Sequence, residues 1–141
     1  MGRLCAQYSV KGTFSNPAER HFIHLGGNDI ESLSNCKIFN LMKSGVKYLT
    51  AAFPSAKIIL CEILPRIGWA QGSVWERKRK RVNSEARKLC HKIPGLSVFK
   101  ADIDVSTLGF FRDDGVHLSD VGLAFFVDAM SDHMTSIFGG E

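Results

Sequence analysis

The sequence predicts an α/β domain in which helices cover both faces of a parallel sheet. Three observations carry that expectation. From residue 21 onward, short β-prone runs alternate with longer segments of helical periodicity, in the order strand, helix, strand, helix, strand, helix. Strands joined through helices imply crossovers and parallel pairing. The middle strand is a nearly continuous apolar run, as expected of a parallel strand covered on both faces. Finally, single Pro and Gly breaks separate the segments, with no repeat, linker or low-complexity tract, so residues 1–141 read as one domain.

His21-Phe22-Ile23-His24-Leu25 is the first clear strand, stopped by Gly26-Gly27. From Ser34 to Phe53, Ile38, Leu41, Met42, Leu49 and Phe53 recur at helical spacing, and Pro54 closes the segment. Lys57 to Leu64 is the second strand, ended by Pro65. Ser73 is placed to cap the next helix, which runs to about His91. Val74, Trp75, Val82, Ala86, Leu89 and Cys90 are its expected inner face. Pro94-Gly95 breaks the chain, and Leu96 to Phe99 forms the third strand. Residues 101–116 read as an acidic loop. The last helix runs from near Ser119 to about Phe138, with Val121, Ala124, Phe125, Met130, Met134 and Ile137 inward. Phe126 and Val127 widen that stripe.

Composition excludes several classes. Hydrophobic residues make up 45% and charged residues 23% of the chain, which does not fit a disordered chain, collagen or a coiled coil. No apolar run approaches the roughly 20 residues of a membrane span. Arg3, Lys11, Glu19 and Arg20 interrupt any signal-like segment. A soluble, cytoplasmic protein is expected. Cys5, Cys36, Cys61 and Cys90 show neither C-x-x-C nor zinc-ligand spacing and are expected to be free thiols. The net charge of +4 is concentrated in Glu76-Arg77-Lys78-Arg79-Lys80-Arg81, followed by Arg87, Lys88, His91 and Lys92.

In parallel sheets, binding residues collect beyond the carboxyl ends of the strands. That rule selects Gly26-Gly27-Asn28-Asp29 and Asp113-Asp114-Gly115-Val116-His117. A carboxylate three residues before a histidine can fix the imidazole tautomer and leave the other ring nitrogen free to take a proton. The same pair can also serve as capping groups at a helix start. The Asn28 amide can donate to a developing oxyanion. The two glycines are expected to ease a tight turn, and Asp29 to cap it or hold it closed. Gly-Gly-Asn-Asp is also ordinary turn chemistry.

Taken together and in this order, Ile23-His24-Leu25-Gly26-Gly27-Asn28-Asp29 and Asp113-Asp114-Gly115-Val116-His117-Leu118-Ser119-Asp120-Val121-Gly122 resemble the third and fifth sequence blocks of the SGNH hydrolase superfamily, the GDSL-type esterases and lipases. Ile63-Leu64-Pro65-Arg66 suits the family's central region, and the likeness covers residues 20–138. The resemblance implies a three-layer α/β/α sandwich, flavodoxin-like, and acyl transfer from an ester to a serine and then to water. It implies His117 as general base, Asp114 as its orienting carboxylate and Asn28 as an oxyanion donor. Gly26, Gly27 and Asp29 would line the substrate side. The substrate would be a small acyl ester or an acylated molecule, with no metal or organic cofactor.

One departure matters. The family's nucleophile lies in a Gly-Asp-Ser block after the first strand, and that tripeptide occurs nowhere in this sequence. The expectation is a chain that begins after the nucleophile block, lacks the first strand region and is catalytically impaired. Ser9 and Ser15 read as surface residues, Ser119 as a helix cap, and nothing around Cys5 suggests an activated thiol. The alternative reading is a basic-helix nucleic-acid-binding module or a non-catalytic interaction module derived from a mobile element, with Arg77 to Arg81 on phosphates and Trp75 beside them. A divalent ion on Asp113, Asp114, His117 and Asp120 is the weakest reading, because the spacing matches no specific site. His24 reads as a core histidine, His91 and His133 as helix-end residues, and Trp69 as packing rather than substrate wall.

Overall fold

The computed structural model describes residues 5–10, 20–25, 27–107 and 109–138. Among these residues, four strands form one sheet in the order β1 (Cys5–Val10), β2 (Arg20–Leu25), β3 (Lys57–Cys61), β4 (Leu96–Phe99). β2, β3 and β4 are parallel, in register from Arg20↔Lys57 and Ile58↔Leu96. The sequence reading had no strand ahead of His21. β1 lies there, pairing antiparallel to β2 from Cys5↔Leu25 to Val10↔Arg20. The sheet is therefore mixed, with its antiparallel strand at the edge.

The helices are α1 (Asn28–Ser32), α2 (Asn35–Ala52), α3 (Val74–Lys92) and α4 (Asp120–Phe138). Side chains alternate across a strand, and β3 shows the consequence. Ile58 and Leu60 join one buried cluster with Ile38, Met42 and Val46 of α2 and Val82, Ala86 and Leu89 of α3. Ile59 and Cys61 join a second cluster with Phe99 of β4 and Phe126 of α4. Helices thus cover both faces, and the layers are α/β/α.

Ser73 and Ser119 act as the helix caps the sequence implies, and Ser34 adds a third. Ser34 Oγ accepts from Lys37 N at 3.2 Å and caps α2, and Ser73 Oγ accepts from Glu76 N at 3.2 Å and caps α3. Ser119 Oγ accepts from Gly122 N at 3.1 Å at the start of α4. β3 is shorter than expected, ending at Cys61: Glu62 N still donates to Phe99 O at 2.8 Å, and from Ile63 the backbone bonds to Asn83 of α3 instead.

Two helix faces differ from expectation. Val74 and Trp75 are exposed, because α3 enters the fold only from Glu76 onward, where Glu76, Val82, Asn83, Ala86 and Leu89 are buried. On α4, Val121, Phe125 and Ile137 are exposed and Ala124 lies outward. The buried side runs instead through Gly122 and Phe126, with Met130, His133 and Met134 partly buried. Gly122 explains the phase: a Cβ there would run into the Phe110 carbonyl. Glycine therefore lets the helix lie directly on the Phe110 backbone. Among the described residues, no helix is long and apolar enough to cross a membrane.

Candidate functional site

Asn28, Arg66 and the 111–118 segment all follow the carboxyl ends of parallel strands, β2, β3 and β4 respectively. Residues 111–118 form a tight hairpin. A bridge joins Phe111 to Leu118, Arg112 N donates to His117 O at 2.8 Å, and Gly115 N donates to Arg112 O at 2.9 Å. Gly115 sits at φ +69°, a conformation that side chains disfavour. This turn brings Asp114 and His117 together.

The carboxylate is used on both oxygens. Oδ1 accepts from Val116 N at 2.9 Å and His117 N at 3.0 Å, and Oδ2 lies 2.5 Å from His117 Nδ1. The side-chain bond to His117, aided by the two backbone N–H groups, holds the Asp114 carboxyl well below the usual carboxylate range. An ionised Asp114 selects the tautomer with the proton on Nδ1, leaving Nε2 as an acceptor. His117 is 71% exposed, so that nitrogen is open to a reactant.

Asn28 is the first residue of α1, not part of a loop, and its side chain is exposed. Its Oδ1 accepts from Arg66 Nη2 at 2.8 Å. With the oxygen engaged, Nδ2 makes no hydrogen bond among the described residues, which suits a donor to an oxyanion. Gly27 has φ −59° and ψ −23°, ordinary helical values, so the expected glycine turn is not what this residue supplies. Asp29 is buried, its Oδ2 has no hydrogen-bond partner among the described residues, and burial raises its pKa. Gly26 lies outside the described residues, as does Ser15.

Arg66 and Asn83 are the residues that sequence reasoning missed. Asn83 is buried in α3. Its Oδ1 accepts from Ile63 N at 2.8 Å and its Nδ2 donates to Ile63 O at 3.1 Å, pinning the start of the turn that carries Arg66. The only sequence signal was a polar residue on the inner stripe of α3. Trp69 is buried, as its packing role requires. Asp113 and Asp120 do not join Asp114 and His117, and no group of three or more His, Cys, Asp or Glu among the described residues is gathered as a metal site. A cavity of about 250 Å³ beyond β3 and β4 is lined by Glu62, Trp69, Arg79, Lys100 and Asp102 among others, and by none of Asn28, Asp114 or His117. Its carboxylates Glu62 and Glu76 are already paired, with Arg87 and Arg79.

The architecture matches solved structures. A protein from Streptococcus pneumonia described as a platelet activating factor superposes with a TM-score of 0.70 at 19% identity, over 86% of this chain and 62% of that one. A carbohydrate esterase family 3 protein from Talaromyces cellulolyticus gives 0.62 at 22% identity, over 82% and 56%. A family 3 carbohydrate esterase from Clostridium thermocellum gives 0.59 at 16% identity, over 82% and 55%. The fold is that of the SGNH-type esterases. The chain spans little more than half the length of these three proteins. No family model matches it, nor does any curated protein.

Proposed function

We propose that this chain is an SGNH-type hydrolase domain that retains the base and one oxyanion donor of an ester-cleaving site, and that the 141 residues alone turn over esters poorly or not at all. The observation that carries the reading is the Asp114–His117 pair, bonded at 2.5 Å on an exposed hairpin beyond the sheet. In the proposed reaction His117 Nε2 takes the proton from an attacking hydroxyl, Asp114 stabilises the imidazolium, and Asn28 Nδ2 donates to the carbonyl oxygen as it becomes an oxyanion. His117 then returns the proton to the leaving alcohol. Impairment follows from the missing Gly-Asp-Ser. Ser119 is no substitute, because its hydroxyl is engaged by Gly109 O and Gly122 N.

The test uses the purified chain, shown to be folded by circular dichroism. p-Nitrophenyl acetate is offered to it and to an Asn28→Ala, His117→Ala double variant, with a fluorophosphonate probe and mass mapping on the same samples. Equal rates at the buffer level and no labelled residue are expected. Turnover by the wild type with a single labelled residue would overturn the impairment and identify the nucleophile. If activity appears that the double variant retains, the assigned site is wrong.

A second reading has its own observation. On α3, Arg79 and Arg87 are paired with Glu76 and Glu62, whereas Arg77, Lys80 and Arg81 are exposed with no ion pair among the described residues. Arg77, Arg81, Ser84 and Lys88 share one groove with Glu85. A polyanion there would give salt-dependent binding of single-stranded RNA that falls in an Arg77→Gln, Arg81→Gln variant. Absence of binding at low salt would remove this reading.

A further inference from the structure

We infer that Arg66 is a positioning residue: the turn of residues 66–69 orients the Asn28 amide and ties its segment to the His117 hairpin. The inference rests on the proposed role of Asn28 and concerns how that side chain is held.

Three contacts converge on this turn. Arg66 Nη2 donates to Asn28 Oδ1 at 2.8 Å. The guanidinium carbon lies 4.8 Å from the centre of the Trp69 ring, a cation–π contact. Trp69 is buried and its Nε1 donates to Glu31 Oε1 at 2.7 Å, one helical turn beyond Asn28 on α1. The chain Asn28, Arg66, Trp69, Glu31 is therefore closed through α1. A closed ring of contacts holds a long side chain in a way that one exposed bond would not.

Gly27 supplies an independent argument. Its backbone sits where any residue is comfortable, so conformational freedom does not explain it. Space does. A Cβ at Gly27 would stand 2.7 Å from Arg66 Nη2 and 3.1 Å from Nε. The guanidinium lies against the bare backbone of Gly27.

The second half of the tie is the next residue. Ile67 N donates to Gly115 O at 3.0 Å, and a Cβ on Gly115 would stand 3.0 Å from Ile67 Cβ. Arg66 thus reaches the oxyanion-donor side while Ile67 reaches the hairpin that carries His117. Neither contact is local in sequence, yet both start from adjacent residues on one turn. An amide is useful to an oxyanion only if its N–H, not its oxygen, faces the reactant, and fixed geometry is what makes such a donor effective. Arg66 accomplishes this by occupying the oxygen.

The experiment is nitrogen-15 relaxation of the Asn28 side-chain amide in the full chain, compared with Arg66→Gln, Arg66→Lys and Gly27→Ala, each checked for folding by circular dichroism. In the wild type the Asn28 Nδ2 order parameter should be near ~0.8, and in Arg66→Gln and Gly27→Ala it should drop below about 0.6. Arg66→Lys should recover part of the loss, because it restores a charged donor without the planar fork. Amide shifts at Gly115 should move in Arg66→Gln. A titration with methylphosphonate, a tetrahedral oxyanion, is read at the same Nδ2 signal and should weaken at least about tenfold in Arg66→Gln. If Arg66→Gln and Gly27→Ala fold with the Asn28 amide as ordered as in the wild type, the inference is overturned. If those variants loosen Asn28 but methylphosphonate leaves it unmoved even in the wild type, the positioning stands and the oxyanion role of Asn28 fails.

Discussion

Asn83 is the sharpest test of what holds the site's central turn in place. The perturbation is Asn83→Ala. It removes the acceptor of Ile63 N and one of two donors to Ile63 O, the other being Arg79 Nη1 at 3.0 Å. Ile63 is 4% exposed, so its N–H is left buried and unpaired, which costs about 1–3 kcal/mol. The carbonyl keeps its arginine, so that loss is about 0.5–1.5 kcal/mol. The expected destabilisation is about 2–4 kcal/mol, or roughly 10 °C in Tm for the middle of that range. Urea titration followed by circular dichroism measures it. Asn83→Leu separates the causes, since it fills the space but makes neither bond. A leucine variant as weak as the alanine variant confirms that the hydrogen bonds carry the effect. If leucine restores wild-type stability, or alanine costs under about 1 kcal/mol, the reasoning fails.

Three further outcomes follow from the side-chain environments. The Asp114 carboxyl, followed by carbon-13 NMR, should titrate well below the ordinary 3.8 and return toward it in His117→Ala. Its folded pKa is depressed, so the stability it contributes is present above the ordinary value and is lost as pH falls through the folded one. Burial lowers the pKa of both His24 and His133 from 6.5. The unfolded chain therefore binds more protons below that value, and the urea midpoint should fall between pH 7.5 and 5; a His24→Asn, His133→Asn variant should flatten the slope, and an unchanged slope would contradict the assignment. Among Cys36, Cys61 and Cys90, a thiol reagent should modify exposed Cys36 first, while Cys61, buried with its thiol pushed up to about 12, should react only on unfolding.

Much of this was legible in the sequence because it is local. Ser73 and Ser119 cap their helices through a backbone N–H three residues away, so the signal and the structure occupy the same few positions. Asp114 and His117 are three residues apart, with Gly115 between them, and the turn alone brings them together. β3 announced its burial by its composition, since a strand covered on both faces has no polar side to show.

Other features were not legible, for physical reasons that differ. The first half of α4, Val121 to Val127, has no polar side chain, so its sequence leaves the phase open there. The choice between Phe125 and Phe126 was made by Gly122 lying on the Phe110 carbonyl, a contact between separate elements. Val74 and Trp75 share the α3 stripe, but they stand ahead of the point where the helix meets the sheet. β1 pairs antiparallel to β2, and strand pairing depends on a partner's edge more than on the strand's own residues.

The sequence by itself determined the alternation of strands and helices, their caps, and the chemical types at the two loops beyond the sheet. These depend on periodicity and on contacts within a helical turn. Only the tertiary structure decided which helix faces are buried, that Asn83 grips Ile63 from 20 residues away, and that Arg66 reaches Asn28 across 38 residues. Such contacts exist because parallel strands deliver their carboxyl ends to one side of the sheet, where residues distant in the chain become neighbours.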